Sequence, residues 1–241
     1  MPNKDEGIRK KVRAAIEHEA HIDWQSHPLG LAFSDDGALV LDGEVPHIGA
    51  KKLALRAAAG VAGVAVVDHL RVGVDSDAGD GAIRDAVCRW LLRDIDFQNC
   101  AVHVWAKGQR ETLQQAGAYP SGSIEVAVTD GVVTLVGQVI SLSHKRLAGV
   151  VAWWVRGCRN VVNVLAVVPP EEDSDDEVVD ALRLVLESDP YVRAEQIGIG
   201  SQDHVVTLDG VVSSEGERTR AEMDAWYLFA VDRVINHIEV R

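Results

Sequence analysis

Apolar and polar positions alternate along this chain in a pattern that recurs three times. The segments GALVLDGEV (37–45), GVVTLVGQV (131–139) and HVVTLDGVV (204–212) each align on a glycine, Gly43, Gly137 or Gly210. Their period of two predicts strands. Ahead of each lies a four-residue apolar spacing: Ile8, Val12 and Ile16; Ile83, Val87 and Leu91; Val178, Leu182 and Leu186. That spacing sets one apolar stripe on a helix. Eight residues past each glycine stands a cation, Lys51, Lys145 or Arg218. Eleven and fifteen residues past it stand alanines: Ala54 and Ala58, Ala148 and Ala152, Ala221 and Ala225. An alternating strand then closes each copy, around Asp68, Asn163 and Asn236, and the first copy reaches it one residue sooner. Such a period reads as three copies of one module.

Each module runs helix, strand, strand, helix, strand. The fold class is therefore α+β, with a small three-stranded mixed sheet and two helices per copy. The closing crossover predicts a right-handed parallel connection. The modules span 7–72, 80–168 and 175–241, and acidic, turn-rich links at 73–81 and 168–177 read as solvated hinges. Asp-Gly pairs predict tight hairpin turns in copies one and two, because such turns need positive φ. Copy three has His204 at that place, which predicts strain or a changed turn type. Leu31 and Phe33 stand one place out of step, predicting a bulge or register change in the first hairpin. Asp80 and Ser174 or Asp175 are candidate caps of the first helices. Pro46, Ser141, Ser213 and Ser214 mark the start of the second ones. The paired alanines offer a flat strip that lets this helix approach the sheet. Copy two carries an insertion at about 96–123, in which AVHVW reads as a strand and QRETLQQAG as one or two helical turns ended by Gly117.

Charge narrows the function. The net charge of −13 speaks against nucleic acid, which demands a basic stripe, and against purely electrostatic docking on anionic lipid. No apolar run is long enough to span a bilayer. The first residues read as an amphipathic helix rather than a signal peptide. This predicts a cytoplasmic chain, or a periplasmic one if the native N-terminus is missing. Cys88, Cys100 and Cys158 match no zinc or redox spacing and read as small buried residues. The acidic stretch 75–80 lacks the glycine and glutamate of a calcium loop. His18 and His21 lack metalloprotease spacing, and no nucleophile elbow or phosphate loop appears. No enzyme, metal or cofactor is implied.

The hairpin with its glycine, the helix with spaced Lys/Arg and Ala, and the closing V-x-N/D-x-L-x-V strand resemble the BON domain (bacterial OsmY and nodulation), three times in tandem. The resemblance covers nearly the whole chain. It implies an αββαβ fold and a bacterial, non-catalytic module. It further implies osmotic-stress or envelope roles through phospholipid binding. The family's periplasmic members carry signal peptides or lipoprotein signals, and the first residues here read as neither.

Gly43, Gly137 and Gly210 read as structural positions. The candidate lipid or partner contacts are Lys51, Lys145, Arg218, Trp153, Trp154, Trp226 and Tyr227. The three cations read as lying on a solvent face near the start of the second helix. The aromatics end the second helix of copies two and three, where copy one has Ala59 and Gly60. Adjacent helical residues diverge, so one ring of each pair points away from its own sheet. Such rings suit packing between modules, a homo-oligomer contact or a membrane interface. Three functions fit: a phospholipid- or envelope-associated stress protein, a protein-interaction scaffold or oligomer, and a small-ligand or cation sensor.

Overall fold

The period-two segments are strands and the four-residue spacings are helices in the computed structural model, which describes residues 2–20 and 22–241. Module one runs α1 (Pro2–Glu19), β1 (Gly30–Phe33), β2 (Leu39–Val45), α2 (Ile48–Ala62) and β3 (Val66–Val72). Module two runs α3 (Asp80–Arg93), β4 (Cys100–Ala106), β5 (Gln109–Gln114), β6 (Gly122–Thr129), β7 (Val132–Val139), α4 (Leu142–Trp153), β8 (Asn160–Asn163) and β9 (Ala166–Val167). Module three runs α5 (Asp175–Ser188), β10 (Ile197–Gln202), β11 (Val205–Val212), α6 (Glu215–Tyr227) and β12 (Arg233–Val240).

Modules one and three are three-stranded mixed sheets, ordered β1-β2-β3 and β10-β11-β12. The hairpin pair is antiparallel and the closing strand is parallel. Module two repeats this with β6, β7 and the broken strand β8/β9, but its sheet is extended to six strands by β4 and β5. Strand β4 pairs parallel with β6, and β5 pairs antiparallel with β4. AVHVW is thus a strand, whereas the helical turns expected over QRETLQQAG are replaced by β5. The signal for β5 is the turn before it. Lys107 and Gly108 both have positive φ, 51° and 73°, the geometry of a two-residue hairpin turn. An exposed polar edge strand shows no apolar alternation, so its period is silent.

The first hairpin keeps the register of the others. Leu31 faces Leu41, as Val126 faces Leu135 and Ile199 faces Leu208. The extra residue is absorbed in the turn between Phe33 and Leu39. Asp130 and Gly131 form the corresponding turn in module two, with φ of 51° and 73°. Asp203 and His204 do so in module three, at 51° and 60°. The turn type is kept and His204 stands in the left-handed region.

The repeated glycines do not end their strands, as each strand runs two residues further. Their φ values are 134°, 133° and 147°. Each faces a buried aliphatic residue of the closing strand: Leu70 opposite Gly43, Ile238 opposite Gly210, and Leu165 along the same register opposite Gly137. A Cβ on Gly137 or Gly210 would overlap the carbonyl oxygen of Ser123 or Gln196. These positions need glycine both for φ and for close approach.

The chain forms two units, Met1–Gly73 and Val74–Arg241. The first has its own core, in which Val12 and Ile16 of α1 meet Leu39, Leu41 and Leu70 of the sheet. Modules two and three share one continuous core. All six spaced alanines are buried in their helix–sheet contacts. The link at 168–174 is exposed yet tied down. Glu171 accepts from the backbone N–H of Leu142 at 2.7 Å, and Asp173 pairs with the buried Arg146. It is a strap rather than the free hinge its composition suggested.

Candidate functional site

The closing strand is latched to the first turn of the second helix in every module. Asn163 donates through Nδ2 to the carbonyl oxygen of Lys145 at 2.7 Å, and Asn236 to that of Arg218 at 3.4 Å. Each Asn also accepts, through Oδ1, the backbone N–H two residues on, at Leu165 (3.3 Å) and Ile238 (3.0 Å). Asp68 accepts likewise from Leu70 N–H at 2.9 Å. A carboxylate cannot donate to a carbonyl. In module one the latch is made instead by Lys51, whose Nζ lies 2.9 Å from Asp68 Oδ2 and donates to the carbonyl oxygen of Leu70 at 2.8 Å.

This corrects the solvent-face reading of Lys51, which is 4% exposed. Asp68 stands nearby only because β3 folds back beside β2, which sequence distance conceals. Lys145 and Arg218 are partly exposed. The Lys145 ammonium lies 5.4 Å from the Phe229 ring centroid, and Arg218 pairs with Glu215 at 2.9 Å. The three equivalent cations therefore form no common site.

A second repeated contact joins the first helix to the hairpin turn. Asp80 accepts from the N–H groups of Asp130 (3.0 Å) and Gly131 (2.9 Å). Asp175 accepts from those of Asp203 (2.8 Å) and His204 (3.0 Å), and from the Ser201 hydroxyl. These bonds hold the Asp175 carboxyl below its ordinary range, the Ser201 hydroxyl foremost. The cap of α3 is the backbone of Gly79 and not Asp80, whereas Ser174 does cap α5. The signal was available in the repeat. Asp80 and Asp175 each precede the first apolar residue of their helix by three places, as Asp5 does in module one.

Three of the four aromatics, Trp153, Trp154 and Tyr227, meet at the junction of modules two and three. Trp153 stacks on Tyr227, with centroids 5.6 Å apart and planes 10° from parallel. Trp154 donates through Nε1 to Asp224 at 2.7 Å and meets Trp90 edge-on. Trp226 is buried, and burial pushes the Tyr227 hydroxyl up to about 12. Phe229, which lay outside the repeat signal, covers the guanidinium of Arg146 at 4.8 Å. Module one has no rings at the equivalent Ala59 and Gly60 and forms a unit by itself.

Two surfaces remain. The face of the six-stranded sheet opposite the helices exposes Trp105, Val136, Val162 and Val164. The other is electrostatic. Residues 1–73 hold 9 Lys and Arg against 10 Asp and Glu, while residues 74–241 hold 15 against 27. Helix α1 shows Lys10 and Lys11 to solvent, beside Arg9 and Arg13. A shallow groove of about 370 Å³ along α6 is lined by Glu215, Gly216, Thr219, Arg220, Met223 and Tyr227. Among the described residues no three His, Cys, Asp or Glu side chains gather as a metal site. No helix there is long and apolar enough to cross a membrane. The three cysteines are buried, and burial pushes the Cys88 thiol up to about 12.

Comparison with protein families agrees with this architecture. The BON domain family model matches residues 4–74, 109–169 and 174–241. No curated protein matches the chain. Among solved structures, the C-terminal domain of CdsD, the structural protein of the type III secretion system of Chlamydia trachomatis, aligns at 14% identity with a TM-score of 0.24. That alignment covers 95% of this chain and 96% of the other. A second CdsD structure aligns at 14% identity with a TM-score of 0.25, over 95% and 91% of the two chains. With three matched segments that together span most of its length, each coinciding with a copy of the hairpin, latch and crossover described above, the chain belongs to the BON domain family as a tandem of three repeats.

Proposed function

We propose that this protein is a non-catalytic BON-repeat protein that associates peripherally with anionic phospholipid through module one. The charge asymmetry carries the reading. Beyond a Debye length of about 8–10 Å exposed charges are screened, so the local surface matters more than the total of −13. Module one is nearly neutral, and its first helix carries the run Arg9-Lys10-Lys11-Val12-Arg13 with only Val12 buried. Each cation near an anionic surface contributes about 1 kcal/mol. The acidic unit Val74–Arg241 is repelled from the same surface and contributes no binding of its own. Binding of this kind is weak and salt-dependent, which suits a reversible envelope or stress role.

Co-sedimentation with anionic and zwitterionic vesicles tests it. The full chain pellets with anionic vesicles at low salt, and Lys10→Glu/Lys11→Glu abolishes pelleting. Failure to pellet with either vesicle removes the proposal.

A second reading is a protein-interaction scaffold. The observation favouring it is the uncovered sheet face with Trp105 49% and Val164 56% exposed. The junction aromatics are used within the chain, so this face would be the docking surface. Light scattering of wild type and Trp105→Ala/Val164→Asp distinguishes it. A monomer in both speaks against self-association.

A further inference from the structure

The junction of modules two and three encloses a carboxyl group that lacks a full set of partners. Asp224 on α6 is wholly buried. Its Oδ1 accepts from Trp154 Nε1, but its Oδ2 has no hydrogen-bond donor. The charged and titratable groups around it are Asp189 at the end of α5, and Arg220 and Tyr227 on α6 itself; Cys158 lies near Tyr227. From α4 comes the neutral indole of Trp154. Asp189 is 1% exposed and accepts from the N–H of Tyr191. Arg220 is committed to Asp189 through Nε, and its guanidinium lies over the Trp154 and Tyr191 rings.

One cation therefore serves two buried carboxyls. Two like charges side by side in a dry site with a single counter-ion do not both ionise. The oxygen without a donor is the one that suits a proton, and Asp189 is the neighbouring carboxyl that interacts with Asp224. The equivalent positions in the other modules are Ala57 and Val151, so the acid is peculiar to this junction.

We propose that modules two and three are clasped by a proton held on Asp224, so that their junction loosens as the surroundings turn alkaline. Burial and the neighbouring Asp189 hold the Asp224 carboxyl well above the ordinary range, against the opposing pull of Trp154 and Arg220. The sign follows. The joined state binds one proton more than the separated state. Above the ordinary carboxylate range, the opening constant therefore rises up to tenfold per pH unit until Asp224 ionises in place.

The test compares the full-length wild type with Asp224→Asn, whose amide keeps an acceptor for Trp154 and offers an N–H to Asp189 without a proton. Urea unfolding of the Val74–Arg241 unit is followed by tryptophan fluorescence between about pH 5 and about pH 9. The wild type loses stability with rising pH, and the variant is flatter by up to one tenfold step per unit. Equal slopes overturn the proposal. Should the variant fail to fold, infrared spectroscopy decides on a background of Asp94→Asn and Glu177→Gln, which removes two other carboxyls that burial pushes up. A protonated-carboxyl C=O stretch persisting at about pH 7 supports the clasp, and its absence overturns it.

Discussion

Replacing the repeated glycines by alanine separates what φ demands from what packing demands. Gly137 stands at φ 133° and Gly210 at φ 147°, in a region that side chains other than glycine's occupy at a cost of roughly 1–3 kcal/mol. An added Cβ at either would also overlap a carbonyl oxygen of the neighbouring strand. Relieving that overlap means spreading the hairpin and giving up one or two ladder bonds, at about 1 kcal/mol each. Gly137→Ala and Gly210→Ala should each cost about 2–5 kcal/mol, a large share of the roughly 5–15 kcal/mol that holds a domain. Gly43→Ala carries the φ cost at 134°, but its Cβ meets Leu29 Cδ2 at 3.0 Å and the Pro28 carbonyl oxygen at 3.2 Å. A leucine methyl gives way more easily than a backbone, so this variant should lose the least. Hydrogen exchange read by mass spectrometry assigns each loss to its unit: Met1–Gly73 for Gly43, Val74–Arg241 for the others. A loss below about 1 kcal/mol at Gly137, or one equal to or smaller than that at Gly43, would refute the close-approach argument.

Three further outcomes follow from the same contacts. His204→Gly should raise the melting temperature of the second unit, because histidine at φ 60° bears a left-handed cost of about 1–2 kcal/mol, partly offset by the chain entropy of glycine. A lower melting temperature counts against the strain. Asn163→Asp should destabilise by about 1–3 kcal/mol, since a carboxylate can only repel the Lys145 carbonyl oxygen it replaces a donor for; chemical denaturation showing no change would break the latch argument. The Glu217 carboxyl is lowered to about 2, first by the Arg193 guanidinium and then by backbone N–H bonds. Its contribution is thus fully present above the unfolded value and is lost as pH falls toward about 2. Acid titration of Glu217→Gln should show a shallower acid limb than wild type, and identical limbs would contradict this.

What the sequence disclosed, and what it hid, follows the range of the contacts. Ala54, Ala58 and their counterparts were legible because helix periodicity puts them on one face, and that face needs small side chains. The αββαβ order was legible because each copy repeats the same alternation. The burial of Lys51 is hidden in the sequence because its partner Asp68 comes from a strand that only tertiary folding brings beside it. Strand β5 is silent in the sequence because an exposed polar edge has no apolar period. The repeat puts aromatics at the end of the second helix, but only the fold shows that Trp153 stacks on Tyr227. Asp224 and Asp189 carried no signal, since an acid in a helix reads as surface unless its neighbours are known.

The most direct test of the functional account is hydrogen exchange of the full chain with and without anionic vesicles at low salt. Lipid association through module one predicts added protection in α1, around Lys10 and Lys11, and none in the acidic unit from Val74 to Arg241. No protection anywhere, or protection confined to that acidic unit, would contradict it.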